Sequence, residues 1–524
     1  MIGMSRWARP APGSAQWRPI LLKVPDTFKR VAAEWLPSLV RGYTLTTFGL
    51  LTLFLVLQFL IPARLVISGM GAAGRPSAAI GVLLAFLWTL SAIRQNQLPR
   101  GRQPIRWILG LFVAVELIGY AIGFDRLPDP AEASAANRWL IFVVSMAGLT
   151  LAVADGVVTR ADLDRLLRLL VVMAAVMSVV GILQFLRLID LTQYIQLPGL
   201  QRNATLLGIG DRGDIDLARV AGTANHYIEF GVVLALVLPI ALHYALFSPA
   251  GRTRTWRWTM VAIVGFGIPL SISRSATLAL LLAMGLLAVV WPWRMRYNAL
   301  VIGIISLAVF RIISPGVLGT IRSLFTNAAN DTSVTDRIDR TGYVLDLWQL
   351  RPWFGRGAGM IIPEQYILLD NQWYMTLLAG GIVGVLALAI LFFVPYFMGR
   401  SIRLRGRDQE TRHLGQALAV TMPAAVLSAG TFDAFSFTTW VGVMCVLIGA
   451  VGALWRLDGT TVSRALQSAA PGDRLVGTPL MANVRQRVRR ASADTRHRRI
   501  ELDDRPADTS PTGRRSGRDI HALQ

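Results

Sequence analysis

The chain has 524 residues, of which 53% are hydrophobic and only 16% are charged. Soluble globular domains carry about 25% charged residues, so this composition excludes an ordinary soluble protein. The net charge of +22 would suit nucleic-acid binding, but the excess arginine lies in the N-terminal segment, alternate short loops and the C-terminal tail. That distribution is typical of cytoplasmic loops, and no nucleic-acid partner is expected.

The first segment, residues 1–42, is polar and basic and contains no apolar stretch of the kind a secretory signal needs. We predict that it is cytoplasmic and that its amphipathic part, Trp17 to Arg41, lies along the membrane surface. Residues 43–456 form the predicted transmembrane domain. The arginine-rich residues 457–524 have few large apolar side chains and are predicted to be a disordered cytoplasmic tail.

Within 43–456, apolar blocks long enough to cross a bilayer recur along the chain. The predicted fold class is therefore all-α, a polytopic transmembrane helical bundle of about twelve helices. The predicted spans lie near 43–61, 77–93, 106–123, 138–155, 166–186, 227–247, 258–272, 276–293, 298–314, 374–397, 415–432 and 437–455.

Arginine-rich loops alternate with loops that hold acids or mixed charges. The basic set is expected in the cytoplasm together with both termini, as in a multi-pass protein of the bacterial cytoplasmic (inner) membrane. Two of the outer loops are long. The second, residues 315–373 between spans nine and ten, is predicted to contain a helix over Thr335–Leu350 and then a turn with Gly355, Gly357 and Gly359.

The single cysteine, Cys445, lies within an apolar block and cannot form an intrachain disulfide. The sequence has no cluster of Cys and His with metal-ligand spacing. We therefore expect neither a metal nor a cofactor.

Charged residues converge on the predicted outer side. Arg274 lies in a short turn between two spans, where an unpaired cation costs on the order of 2–3 kcal/mol. Arg274, Arg219, Arg337 and Arg340 would suit a diphosphate, because guanidinium groups bind phosphate oxygens bidentately. The alternatives are a snorkelling Arg274, and local pairing of Arg337 and Arg340 with neighbouring aspartates.

Asp370 and Asn371 stand at the start of span ten, on the same side. Asp370 is a candidate general base, since partial desolvation would raise its pKa to a useful value, and Asn371 is a candidate substrate ligand. His226, at the start of span six, is a second candidate catalytic group. The alternatives are helix capping for Asp370 and an interfacial hydrogen bond for His226. Glu116, within span three, could carry protons or be bonded to a neighbouring helix.

Three segments resemble the bacterial O-antigen ligase and polymerase superfamily of membrane glycan-assembly proteins, over roughly residues 140–456. They are the Arg-x-x-Gly at Arg219, the Ser-Arg helix start in SISRSATLALLL, and the stretch from Arg337 through RPWFGRGAG to DNQWYMTLLAGGIVG. Ligases of this family typically have a histidine where this chain has Asp370, and a glutamate where it has Ala379. The departure is compatible with a polymerase-like relative.

The resemblance implies a metal-independent glycosyltransferase. Its donor would be a glycan on a polyprenyl diphosphate, its acceptor a glycan or a lipid, and its partners membrane lipids and other polysaccharide-assembly proteins. Arg219, Arg274 and Arg337 would hold the diphosphate, and Asp370 would take the proton of the acceptor hydroxyl.

Two other functions stay open. A transporter or a lipid or polysaccharide flippase would place its charges near the membrane midplane, where only Glu116 fits. A scaffolding protein of a membrane complex would leave Arg274 without an anion to bind.

Overall fold

The structure is a computed structural model that describes residues 40–41, 44–94, 98–99, 103–202, 210–212, 215–313, 332–363 and 365–468. Contacts divide the chain into two units, Met1–Asp458 and Gly459–Gln524. Most of the predicted N-terminal segment, with its amphipathic part, and the tail beyond Ser468 lie outside the described residues.

The described part of the chain is almost entirely helical. Its helices are α1 Thr47–Leu60, α2 Pro76–Ile93, α3 Pro104–Asp125, α4 Pro130–Gly156, α5 Arg160–Phe185, α6 Leu191–Tyr194, α7 Tyr227–Leu246, α8 Arg252–Leu270, α9 Arg274–Ala288, α10 Trp293–Ile313, α11 Thr332–Gln349, α12 Gln372–Arg405, α13 Gln409–Ala429 and α14 Thr438–Ser468. Short antiparallel strand pairs are β1 Val40–Arg41 with β2 Thr44–Leu45, β3 Leu65–Val66 with β4 Gln201–Arg202, and β5 Gly210–Arg212 with β6 Ile215–Arg219.

Each predicted span overlaps one of the helices. Among the described residues, seven helices are long and apolar enough to cross a membrane, namely α2, α3, α4, α5, α7, α12 and α14. Helices α1 and α9 are apolar but shorter, and α8, α10 and α13 carry charged residues within their ends. The chain is thus a multi-pass helical membrane protein, and the count of twelve crossings stays a prediction.

Two boundaries differ from expectation. Helix α14 continues to Ser468, past the predicted start of the tail at 457, because the next proline in the sequence is Pro471. Helix α11, Thr332–Gln349, begins three residues before the helix that was predicted over Thr335–Leu350 in the long loop and ends one residue before it.

Helix ends at one end of the bundle are joined through two buried side chains of opposite charge. Arg75, just before α2, is 1% exposed and donates to the hydroxyl groups of Thr438 and Thr439 at the start of α14, at 2.7 and 3.1 Å. The fully buried Glu229 of α7 accepts from the backbone N–H groups of Thr439 and Trp440. Both charges are therefore hydrogen bonded, as burial requires. We call this end, which holds the starts of α2, α7, α12 and α14, the site end.

Helix α12 is interrupted at Gly381, whose φ of 63° is not helical. A turn of the preceding loop fills the break. Ile382 N–H donates to Pro352 O at 2.9 Å, and Arg356 N–H donates to Leu378 O at 2.8 Å. A Cβ at Gly381 would lie 2.4 Å from the backbone of Trp353, so only glycine permits this approach.

The Arg75–Glu229 pair yields a stability prediction. Arg75→Met leaves Glu229 buried without its cation and is expected to cost about 3–5 kcal/mol. We expect a clear fall in the thermal unfolding midpoint of the detergent-solubilised protein. The double variant Arg75→Met/Glu229→Gln should recover part of that loss, and Arg94→Met, at an exposed position, should change nothing. An unchanged midpoint for Arg75→Met would contradict the structural role.

Candidate active site

Asp370 lies at the site end, directly before α12. Its backbone has a φ of 48°, a left-handed conformation that aspartate tolerates better than most residues. Its carboxylate is half exposed, and Arg340 Nη1 of α11 donates to Asp370 Oδ2 at 2.9 Å. Arg340 therefore pairs with the candidate base.

Arg340 is placed by the packing of α11 against the beginning of α12. Thr341 and Tyr374 share a hydrogen bond of 3.0 Å between their hydroxyl groups. Beside them lies a small apolar cluster that joins α11, the loop and α12; its buried members are Val344, Ile361, Tyr366, Leu369 and Leu378.

Asn371, and not Asp370, caps α12. Its side-chain oxygen accepts from the backbone N–H groups of Trp373 and Tyr374, which satisfies donors that the helix leaves open. Its own backbone N–H donates to Asp433 Oδ1 at 2.9 Å. The start of α12 is thus tied to the connection between α13 and α14.

Asp433 is a site residue that sequence reasoning missed. Its pKa is raised to about 6, chiefly by burial and also by the nearby negative charge of Asp370, while the Asn371 N–H and Arg340 oppose these effects. Two carboxyl groups therefore lie close together at the start of α12. The available signal was an acid in the short connection FDAF, at the same end as Asp370.

His226 caps α7, because its Nδ1 accepts from Ile228 N–H at 3.3 Å. Its ring packs against those of Tyr227 and Phe437, with centroids 4.0 and 5.7 Å apart. Burial lowers the pKa of His226 to about 4, helped by the charge of Arg219 and opposed by that of Asp370. The imidazole is therefore neutral at pH 7.

Arg219 lies beside His226. Its guanidinium carbon is 4.6 Å from the ring centre of Tyr227, and its Nη1 donates to the Tyr227 hydroxyl at 2.5 Å. Its Nε–H is buried and has no hydrogen-bond partner among the described residues. Such a donor is costly unless an acceptor arrives.

The Arg-x-x-Gly pattern after Arg219 has a steric reason. Gly222 has a φ of 58°, and a Cβ there would lie 2.7 Å from Met177 O. Its N–H donates to Gln184 Oε1, and Gln184 Nε2 donates to Gly222 O. The chain can therefore turn tightly against α5 and present Arg219 at the site end.

Arg274 is the first residue of α9, and Ser273 caps that helix. A Cβ added at Gly231, one turn into α7, would meet Ser271 and Ala276, so Arg274 lies at the same end of the bundle as Arg219. The backbone of Arg337 belongs to α11, but its side chain lies outside the described residues.

The structure thus brings Arg340, Asp370, Asn371 and Asp433 into contact, and Arg219 with His226 lies next to them. Arg219 and Asp370 both act on the charge of His226. Among the described residues, no group of three or more His, Cys, Asp or Glu side chains is arranged to hold a metal ion.

Residues 258–389 match the family described as O-Antigen ligase. The matched segment includes Arg274, α11, the loop that fills the break in α12, and Asp370. No curated protein shows significant similarity to the chain. The family match confirms, over residues 258–389, the resemblance seen in the sequence to the O-antigen ligase and polymerase superfamily.

Proposed function

We propose that the protein is a membrane glycosyltransferase that polymerises or transfers a glycan from a polyprenyl-diphosphate donor. The site end would face the outside of the cytoplasmic membrane, with both termini in the cytoplasm. The observation that carries the proposal is the pairing of Arg340 with Asp370 beside Arg219, whose Nε–H has no partner among the described residues. Fixed cations and a carboxylate at one membrane surface suit a reaction that expels an anion.

The arginines would bind and stabilise the leaving diphosphate. Arg219 already directs its guanidinium into the site, and its Nε–H can donate to a phosphate oxygen. Arg274 and Arg337 belong to the same end of the bundle and would add positive charge. Fixed donors stabilise the charge that develops on the leaving group in the transition state.

Arg340 couples donor binding to activation of the base. In the free protein its guanidinium is paired with Asp370 at 2.9 Å. A diphosphate carries more charge than one carboxylate and would draw Arg340 away. Asp370 would then be free to accept a proton from the acceptor hydroxyl as that oxygen attacks the anomeric carbon. The bond from that carbon to the phosphate oxygen breaks, polyprenyl diphosphate leaves, and the configuration inverts.

Asp370 is a better candidate base than His226. The Nδ1 of the neutral His226 ring accepts a backbone hydrogen bond, so its Nε2 carries the proton and cannot accept another. Asp370 is half exposed at the site and can reach a bound acceptor. His226 would instead orient the site and donate a hydrogen bond.

The alternative function is that of a transporter or flippase. The interruption of α12 favours it, because interrupted helices often mark transport sites. Here, however, the break in α12 is filled by backbone hydrogen bonds from its own loop. Uptake of lipid-linked glycan by proteoliposomes, with no change in its length, would support transport over transfer.

The first functional prediction concerns the base. In a deletion strain complemented with Asp370→Asn, we expect long glycan chains to fall by about 10²-fold or more, because proton removal is lost. Arg340→Lys should also reduce them, since lysine keeps the charge but loses the bidentate geometry. Arg94→Lys, at the opposite end of the bundle, is the matched control. Full chain length with Asp370→Asn, at normal protein level in the membrane, would refute the proposed function.

A second prediction follows from the raised pKa of Asp433. A carboxyl group with a folded pKa of about 6 and an ordinary value of 3.8 binds its proton more tightly in the folded state. Its contribution to stability is therefore present at low pH and is lost as the pH rises from about 4 to about 6. The charged form then costs roughly 3 kcal/mol at pH 7.

Asp433→Asn should consequently raise the thermal unfolding midpoint at pH 7, and the difference from wild type should vanish near pH 4. Asp125→Asn, at an exposed aspartate, is the control and should have no effect at either pH. A midpoint for Asp433→Asn that is lower than wild type at pH 7 would show that the charged carboxylate stabilises the fold.

A further inference from the structure

A cavity of about 240 Å³ lies at the site end, between α3, α4, the loop after α11 and the first turns of α12. Its walls combine charged, amide and aromatic side chains with small residues. Among the lining residues are Glu116, Arg138, Trp139, Gly359, Gln372 and Phe435.

Two charged residues line this cavity from adjacent helices. Glu116 of α3 accepts from Trp139 Nε1 through Oε2 at 2.7 Å, which confirms the expected bond to a neighbouring helix. Its second carboxylate oxygen can accept from a ligand. Arg138 donates to Ser134 Oγ through Nη1 at 2.7 Å, and its other N–H groups can donate. The cavity thus offers both an acceptor and a donor to a hydroxyl-bearing ligand.

Aromatic rings form part of the cavity wall. The ring centroids of Trp139 and Phe435 are 5.8 Å apart. Phe435 is held in place because its backbone N–H donates to Gln372 Oε1 at 2.8 Å. Gly359 lets the loop approach closely, since a Cβ there would lie 2.4 Å from that of Trp139.

The cavity is next to the carboxyl pair. Gln372, in its wall, is two residues after Asp370, and Ser436, also in its wall, is three residues after Asp433. Arg219, Arg274 and Arg340 do not line it. The arginines suited to a diphosphate are therefore distinct from the side chains that line the cavity.

We propose that this cavity binds a terminal sugar of the acceptor glycan and directs its hydroxyl to Asp370. The inference rests on the proposed function and adds the acceptor site to it. A carboxylate, a guanidinium and aromatic rings around a small space match the hydroxyl groups and the apolar faces of one sugar ring. A prenyl chain would offer no hydrogen bond to the second carboxylate oxygen of Glu116 or to the other N–H groups of Arg138, which is unfavourable.

Filling the cavity tests the proposal in cells. Ala135 lines the cavity and Ala131, one turn earlier on α4, is exposed and does not. In the deletion strain, Ala135→Phe should reduce long glycan chains by about 10²-fold, because a displaced acceptor loses its alignment. Ala131→Phe should restore wild-type chains. Wild-type chains with Ala135→Phe would overturn the proposal.

Cysteine labelling measures occupancy directly and does not depend on turnover. The native Cys445 is buried, so Ala135→Cys can be labelled with a water-soluble thiol reagent and Ala131→Cys serves as the control. The two probes are lipid-linked glycan extracted from the deletion strain and polyprenyl phosphate without sugar. Protection of the cysteine at 135 by the first probe alone, lost in Glu116→Gln, supports a sugar site.

Protection by both probes would identify a lipid site, and protection by neither would show that no acceptor enters, so either result overturns the inference. Failure of the proposed function is separable from these outcomes. If Asp370→Asn abolishes long chains while the cysteine at 135 stays unprotected, the transferase stands and only the acceptor site falls. If Asp370→Asn has no effect on chain length, the transferase itself falls.

Discussion

The break in α12 at Gly381 is the constraint on which the site end depends. Inside a membrane each backbone polar group must be satisfied by the protein, so an interrupted helix needs donors and acceptors from elsewhere. The turn at residues 352–357 supplies them through four backbone hydrogen bonds to residues 378–383. Because Gly355 and Gly357 have positive φ values, the loop can approach the helix backbone closely enough to make these bonds.

The docked loop is also fixed to the other half of the bundle. Arg126 donates to Arg356 O at 2.8 Å and pairs with Glu132 at 2.7 Å. Tyr366 accepts from Arg356 and donates to Glu132. These contacts hold α3, α4 and the start of α12 together. The proposed acceptor cavity lies among these elements, and the α11–α12 contact presents Arg340 to Asp370.

Charged side chains removed from water have two different roles at the site end. Arg75 and Glu229 form hydrogen bonds that join helix ends, and we interpret them as structural. Asp433 is half-buried close to another carboxylate, an arrangement that costs stability. The presence of this destabilising carboxyl group beside the proposed base is consistent with a catalytic site. The Asp433→Asn variant measures how much stability the group costs.

The sequence by itself determined the membrane class, the position of each long helix and the end of the bundle that collects Arg219, Arg274, Arg340 and Asp370, because apolar length and charge alternation are local properties. The family match at residues 258–389 supports the resemblance that the sequence showed. Only the tertiary structure decided which charges pair: Arg340 with Asp370, Asp433 with the Asn371 N–H, and Arg75 with residues about 360 positions away. Such partners lie far apart along the chain, and helix packing alone brings them into contact.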